Sequence, residues 1–175
     1  MNARVRKIRA QRRLRRFSLN RLFKNEGGTQ LVELAIVVPI FLVLFGATAE
    51  FGRYFYEYTT LAKASRAGAR YLATSYGNST EDTKAKNIVV YGNAAGNGSP
   101  ILSGLTAGNV VISRQGGVGC LPQTVKVQIT NFKHVPIFDL GKLTKISGLS
   151  TNVDVKPSVT MRFLLTQPPP PGVCP

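Results

Sequence analysis

Gly28-Thr29-Gln30-Leu31-Val32-Glu33 runs without interruption into Leu34-Ala35-Ile36-Val37-Val38-Pro39-Ile40-Phe41-Leu42-Val43-Leu44-Phe45-Gly46-Ala47-Thr48-Ala49. From Leu31 to Ala49 the only charge is Glu33. At about 1.5 Å per residue this length nearly matches a hydrocarbon core of about 30 Å, so the stretch predicts one membrane-spanning helix within residues 29–50. Pro39 lies in its middle and lacks the amide that would bond the Ala35 carbonyl, so a helix bend is expected there.

Before this stretch the chain is strongly basic. Residues 1–28 carry ten Lys and Arg against the single acid Glu26, so +9 of the net charge of +15 sits in a short arm. Basic residues flanking one end of a span hold that end in the cytoplasm. Residues 1–28 therefore read as a cytoplasmic leader, and the rest of the chain as periplasmic. Arginines could also contact the phosphates of a nucleic acid. Only Phe17 and Phe23 interleave the arm as stacking platforms, and no nucleic-acid partner is expected.

After the stretch the helical pattern continues. From Glu50 to about Ser75 no proline intervenes, and Phe51, Tyr54, Tyr58, Leu61, Ser65, Gly68 and Leu72 recur at three and four, so residues 51–76 extend the helix out of the lipid. Small residues at Ala64, Ser65, Ala67, Gly68 and Ala69 allow another backbone to approach closely. Tyr54, Tyr56 and Tyr58 fall where an interfacial aromatic belt is expected. Arg53, Arg66 and Arg70 can pair with Glu50 or Glu57. Gly77 suits a helix C-cap.

Residues 77–175 predict a small α/β head. A second helix starts at Ser79 or Thr80 and runs to about Asn93. Beyond a Gly/Asn-rich loop the period becomes two: Val110–Arg114, then Val125, Val127 and Ile129 on one face, then Val159, Met161, Phe163 and Leu165. Three strands in a meander, covered by the upper half of the long helix, give an α+β, pilin-like fold: a long N-terminal transmembrane and amphipathic helix packed on a small antiparallel sheet. Gly116-Gly117-Val118-Gly119 reads as a hairpin loop, since no helix and no Lys-Ser/Thr follow it. Pro168 to Pro171 forms a polyproline tail.

The chain has two cysteines, Cys120 and Cys174. Both fall on the oxidising side of the span, where a disulfide is expected. It would close a loop of about 55 residues and stabilise by roughly 4 kcal/mol in the chain-entropy model. Two unpaired thiols remain the alternative. One His and two Cys without short spacing make no metal site. His134, the single histidine, has no partner in a local motif and reads as a surface or edge residue. Asp139 and Asp154 read as turn residues. No enzymatic constellation and no cofactor motif is found.

Glu33 decides how the membrane junction is read. A carboxylate in an apolar run is unfavourable in lipid and is usually functional. Ala47-Thr48-Ala49 would satisfy an ordinary signal peptidase, and Arg15-Arg16 opens a twin-arginine pattern that the next residues fit poorly. Cleavage after Gly28, on an extended backbone, would instead create a new amine at Thr29, one turn from Glu33. That amine could also pair with the Glu33 of another copy.

Gly28 with Glu33 as the fifth residue of the mature chain resembles the processing site of type IV prepilins. Further, Leu31 to Pro39, then Glu50-Phe51-Gly52-Arg53, then Ala67-Gly68-Ala69-Arg70, resemble the N-terminal block of TadE-like proteins, minor pilins (pseudopilins) of the tight-adherence pilus. The resemblance covers roughly residues 28 to 72. It implies cleavage between Gly28 and Thr29 by a prepilin peptidase, assembly through Glu33, and helix packing at Gly52, Gly68 and Arg70. The implied partners are other pilin subunits, the inner-membrane assembly platform and the lipid bilayer. Thr29 departs from the Phe or Met usual at the first mature position. A head of about 100 residues is too large for a thin major pilin, which favours a minor role. A signal-anchored periplasmic binding or adhesion domain that never polymerises is the alternative.

Overall fold

In a computed structural model of the chain, the structure describes residues 26–117, 121–139, 141–142, 145–146, 148 and 150–167. The basic leader, Cys120, Cys174 and the polyproline tail lie outside the described residues, and so does the expected disulfide. The chain divides into two compact units, residues 1–42 and 43–175.

Helix α1, Glu26–Ala73, passes through Pro39 without interruption. In the first unit, the side chains of Leu31, Leu34, Ile36 and Phe41 are all exposed. A water-soluble domain rarely leaves so much contiguous apolar surface bare. The apolar part of α1 is long enough to cross a membrane, and none of it is buried within the protein. It fits a single-pass membrane anchor.

The second unit is built on the upper part of α1. Leu61, Ala64, Ser65, Gly68, Ala69, Leu72 and Ala73 are buried there at steps of three and four, the repeat that keeps side chains on one helix face. Helix α2, Ser79–Tyr91, packs on this stripe. A Cβ on Gly68 would lie 2.5 Å from Val89 Cγ2 and 3.3 Å from the Ala85 carbonyl oxygen, so the absent side chain is what lets α2 approach. The close backbone neighbour expected at the small residues is thus part of the same chain. Asn78 caps α2 by accepting from the Glu81 amide at 2.8 Å, and Gly92 ends it at φ 76°.

Among the described residues three strands follow: β1, Val110–Gln115; β2, Thr124–Ile129; and β3, Ser158–Arg162. They form an antiparallel sheet in the order β1-β2-β3, with Ile112 opposite Val127 and Val125 opposite Met161. Val125, Val127 and Ile129 are fully buried, as their alternation requires. They share one core with Leu61 and Leu72 of α1, Val89 of α2, and Phe132, Val155 and Phe163. The observed α+β arrangement of a long apolar helix and a small antiparallel sheet is the expected one.

Two local expectations are corrected. Gly77 is not a left-handed cap for α1. Instead the hydroxyls of Thr74 and Ser75 donate back to the Tyr71 carbonyl, at 3.1 and 2.8 Å, closing the last turn. The third strand stops at Arg162, although the Phe163 amide still bonds the Gln123 carbonyl at 2.9 Å.

Candidate functional site

Below Leu61 the inward stripe of α1 changes chemistry. Glu50, Arg53, Tyr54 and Glu57 occupy steps of three, four and seven, so all four project to one side of the helix. Opposite them runs the segment after β2, Asn131 to Asp139. The His134 amide donates to the Val153 carbonyl at 3.0 Å, and Lys133 forms an isolated antiparallel bridge with Asp154. These bonds place the His134 ring against α1.

His134 is 0% exposed, which corrects the expectation of a surface or edge residue. Its Nε2 lies 2.8 Å from Glu50 Oε1, and its Nδ1 lies 2.8 Å from Glu57 Oε2. The Tyr54 ring meets the imidazole edge-on, with centroids 5.7 Å apart. Glu50, itself only 3% exposed, also accepts from the Ile137 amide at 3.3 Å and the Phe138 amide at 3.2 Å. Arg53 reaches Glu50 at 3.2 Å and Glu57 at 3.9 Å, which realises two of the ion pairings expected along the helix. Arg66 and Arg70 are exposed and form no ion pair among the described residues. Tyr54 faces the imidazole, unlike the exposed Tyr56 and Tyr58, and so does not share their outward position.

Proton counting fixes what this cluster can do. A neutral imidazole has one N–H and satisfies one carboxylate, whereas an imidazolium donates from both nitrogens and satisfies both. With a carboxylate on each ring nitrogen, the imidazole ties the loop to the helix at two points. Charge-assisted hydrogen bonds of this kind are about twice as strong as neutral ones. No group of His, Cys, Asp and Glu able to hold a metal ion is present among the described residues.

The other residues singled out in the sequence lie apart from this cluster. Gly28 and Thr29 sit in the first turn of α1, so the backbone expected to be extended there is helical. That turn still has amides without intrahelical partners and unwinds most readily. Glu33 is exposed one turn further on. A Cβ on Gly52 would meet nothing within 4 Å. Asp139 behaves as a turn residue, accepting from the Gly141 amide at 2.9 Å and the Ser150 hydroxyl at 3.2 Å. Asp154 pairs with Lys156 at 2.7 Å.

A second polar cluster ties the top of α1 to α2 and β1. Tyr71 donates to Glu81, Lys84 reaches Glu81 at 2.9 Å, and Arg114 forks onto Asp82. The Tyr71 hydroxyl, then Lys84, hold the Glu81 carboxyl below its ordinary 4.5. The same carboxylate raises Tyr71 above its ordinary 10.0.

Comparison with known families rests on the helix. The family described as TadE-like protein matches residues 28–70. This N-terminal segment is TadE-like. The match supports the resemblance drawn from Leu31–Pro39, Glu50–Arg53 and Ala67–Arg70, and is consistent with a protein of the Tad pilus system. No curated protein and no solved structure gives a match. The TadE-like segment supplies Glu50, Arg53 and Glu57 to the buried cluster, and the head supplies His134. Nothing in the local sequence joins residues so far apart. The usable signal was the presence of two acids seven residues apart on the inward stripe, which require a buried donor.

Proposed function

We propose that the chain is a minor pilin of a Tad pilus, inserted in the inner membrane with residues 1–28 cytoplasmic and the head periplasmic. The observation that carries this reading is the TadE-like match over a single helix that is bare and apolar below and packed against a folded head above. A prepilin peptidase cuts between Gly28 and Thr29, and the freed amine lies one turn from Glu33. Pairing between that amine and the Glu33 of a neighbour registers adjacent helices. Phe51, Phe55 and Tyr58, exposed at steps of four and three, offer an aromatic face for contact with other pilin subunits or the assembly platform. In this reading the chain is a structural component with no catalytic role.

The test is N-terminal sequencing of the protein made with its peptidase. Thr29 is expected at the start of the wild type, and Met1 in Gly28→Ala. Glu33→Ala should be cut normally and yet fail to join pili. A wild-type chain beginning at Met1 would instead indicate a signal-anchored domain that does not polymerise.

A further inference from the structure

The segment after β2 runs down the side of α1 and ends at the level where the apolar stretch stops. The Phe138 ring covers Gly46, where a Cβ would lie 2.8 Å from Phe138 Cδ1. At the other end of the head the Leu164 amide bonds the Ala73 carbonyl at 2.9 Å. Between Gly46 and Ala73 the helix rises roughly 40 Å. Phe138 thus marks the lower edge of the head, next to the exposed Val43, Leu44 and Phe45, the last of which is 76% exposed.

Along this segment alternate side chains turn inward and outward. Phe132 and His134 are buried, whereas Val135 is 72% exposed and Ile137 is 82% exposed. Two large aliphatic side chains side by side contribute nothing to the head's core, and a loop facing only water would be served by polar residues. Their position is nonetheless fixed: Glu50 accepts from the Ile137 and Phe138 amides, and His134 is clamped by Glu50 and Glu57. Immediately headward, Arg53 and Lys133 line a cleft of about 570 Å³ shared with Glu57, Val135 and Ile137. Apolar tips with cations behind them, level with the end of an apolar helix, are the arrangement of a segment seated at the boundary of headgroups and acyl chains.

We propose that Lys133–Phe138 is a second membrane contact, in which Val135 and Ile137 enter the lipid interface beside the end of the span and Arg53 and Lys133 face the phosphate layer. The inference rests on reading residues 29–50 as a span. Two contacts hold the head in one orientation on the bilayer, where a single helix would leave it free to swing.

The chain has no tryptophan, so one introduced indole reports its own surroundings. Ile137→Trp, Val135→Trp, Phe45→Trp and Leu164→Trp would be made in the full chain. Each would be reconstituted in phosphatidylethanolamine/phosphatidylglycerol vesicles with and without lipids brominated high on the acyl chain. At a depth of roughly 5–10 Å, the Ile137→Trp and Val135→Trp indoles are expected to emit further to the blue than Leu164→Trp and to be quenched about two-fold or more. Leu164→Trp should be unquenched. Quenching of Phe45→Trp alone overturns the loop contact and leaves the span standing. If Phe45→Trp is also unquenched, the span and the loop contact both fall. A blue-shifted but unquenched Ile137→Trp places that side chain against protein, which overturns the proposal as well.

Discussion

Replacing His134 by alanine tests how the head is held to the helix, because the same ring lies within hydrogen-bond distance of two carboxylates. The substitution removes two hydrogen bonds of 2.8 Å and leaves Glu50, almost fully buried, with Arg53 as its one charged partner among the described residues. Hydrogen bonds to charged groups contribute about 1.5–3 kcal/mol each. Removing a donor also leaves the buried carboxylate unsatisfied, which costs about 1–3 kcal/mol or more for a charged group. These ranges overlap, and the expected loss is about 4 kcal/mol, out of a total stability of about 5–15 kcal/mol for a domain. The midpoint of thermal unfolding should fall by roughly 15–30 °C for a head of about 100 residues.

The decisive measurement is a double-mutant cycle in full-length protein held in detergent, with unfolding of the head followed by near-UV circular dichroism or tyrosine fluorescence. Glu50→Gln removes the charge while keeping an oxygen that can accept from the Ile137 or Phe138 amide. If His134 and Glu50 act as drawn, the double variant should be more stable than the sum of the singles predicts, by about 0.5–3 kcal/mol. His134→Leu restores apolar volume without donors and should be no better than His134→Ala. Strict additivity, or a His134→Ala protein within about 0.5 kcal/mol of wild type, would refute the reasoning.

Two further expectations concern the top of the head. Gly68→Ala should destabilise by about 1–3 kcal/mol, because Val89 is fully buried and cannot yield to a methyl group placed 2.5 Å away. The same change at Gly52, where the space is open, should be neutral or stabilising by about 0.5–1 kcal/mol, and thermal shifts measured side by side check both. The Tyr71–Glu81 pair predicts loss of stability at both extremes of pH. Glu81 titrates lower when folded, so its contribution is full above its ordinary 4.5 and fades as pH falls through the depressed value. Tyr71 titrates higher when folded, so its contribution is full below its ordinary 10.0 and fades as pH rises through the raised value. Tyr71→Phe should flatten the alkaline limb in pH-dependent unfolding curves, and an unchanged limb would count against the bond.

What could be read from the sequence was what repeats locally. The apolar run, the step of three and four from Leu61 to Leu72, and the alternation of Val125, Val127 and Ile129 each record one element's burial in its own period. The helix, the sheet and its buried face follow from them. His134 escaped because its partners are 77 and 84 residues away, and because its segment alternates in burial without an apolar–polar alternation of residue types to show it. The hydroxyl closure of α1 escaped for a different reason: Gly77 was a good local candidate, and Thr74 and Ser75 competed for the same carbonyls. At Gly68 the small side chain was legible as a close approach, but which backbone approached was not.

The inward face of α1 carries the division of labour between its parts. Read upward, it presents Gly46 to the Phe138 ring, Glu50 and Glu57 to one imidazole, Leu61 to the core, and Gly68 to α2. Each of these positions demands something different of the head: a flat ring, a ring with a nitrogen toward each carboxylate, apolar bulk, a tight backbone. The TadE-like segment ends at Arg70, within one turn of the end of α1, so it contains all of these positions and the partner Arg53, whereas the Phe138 ring, the imidazole and α2 come from the head. A head of unrelated sequence could therefore be mounted on the same helix, provided it brought a donor between the two carboxylates. The buried charges would then act less as a source of stability than as a register mark. A head slipped by one turn would take the imidazole and the Ile137 and Phe138 amides away from Glu50 and leave it with Arg53, whereas an apolar stripe alone would tolerate the slip.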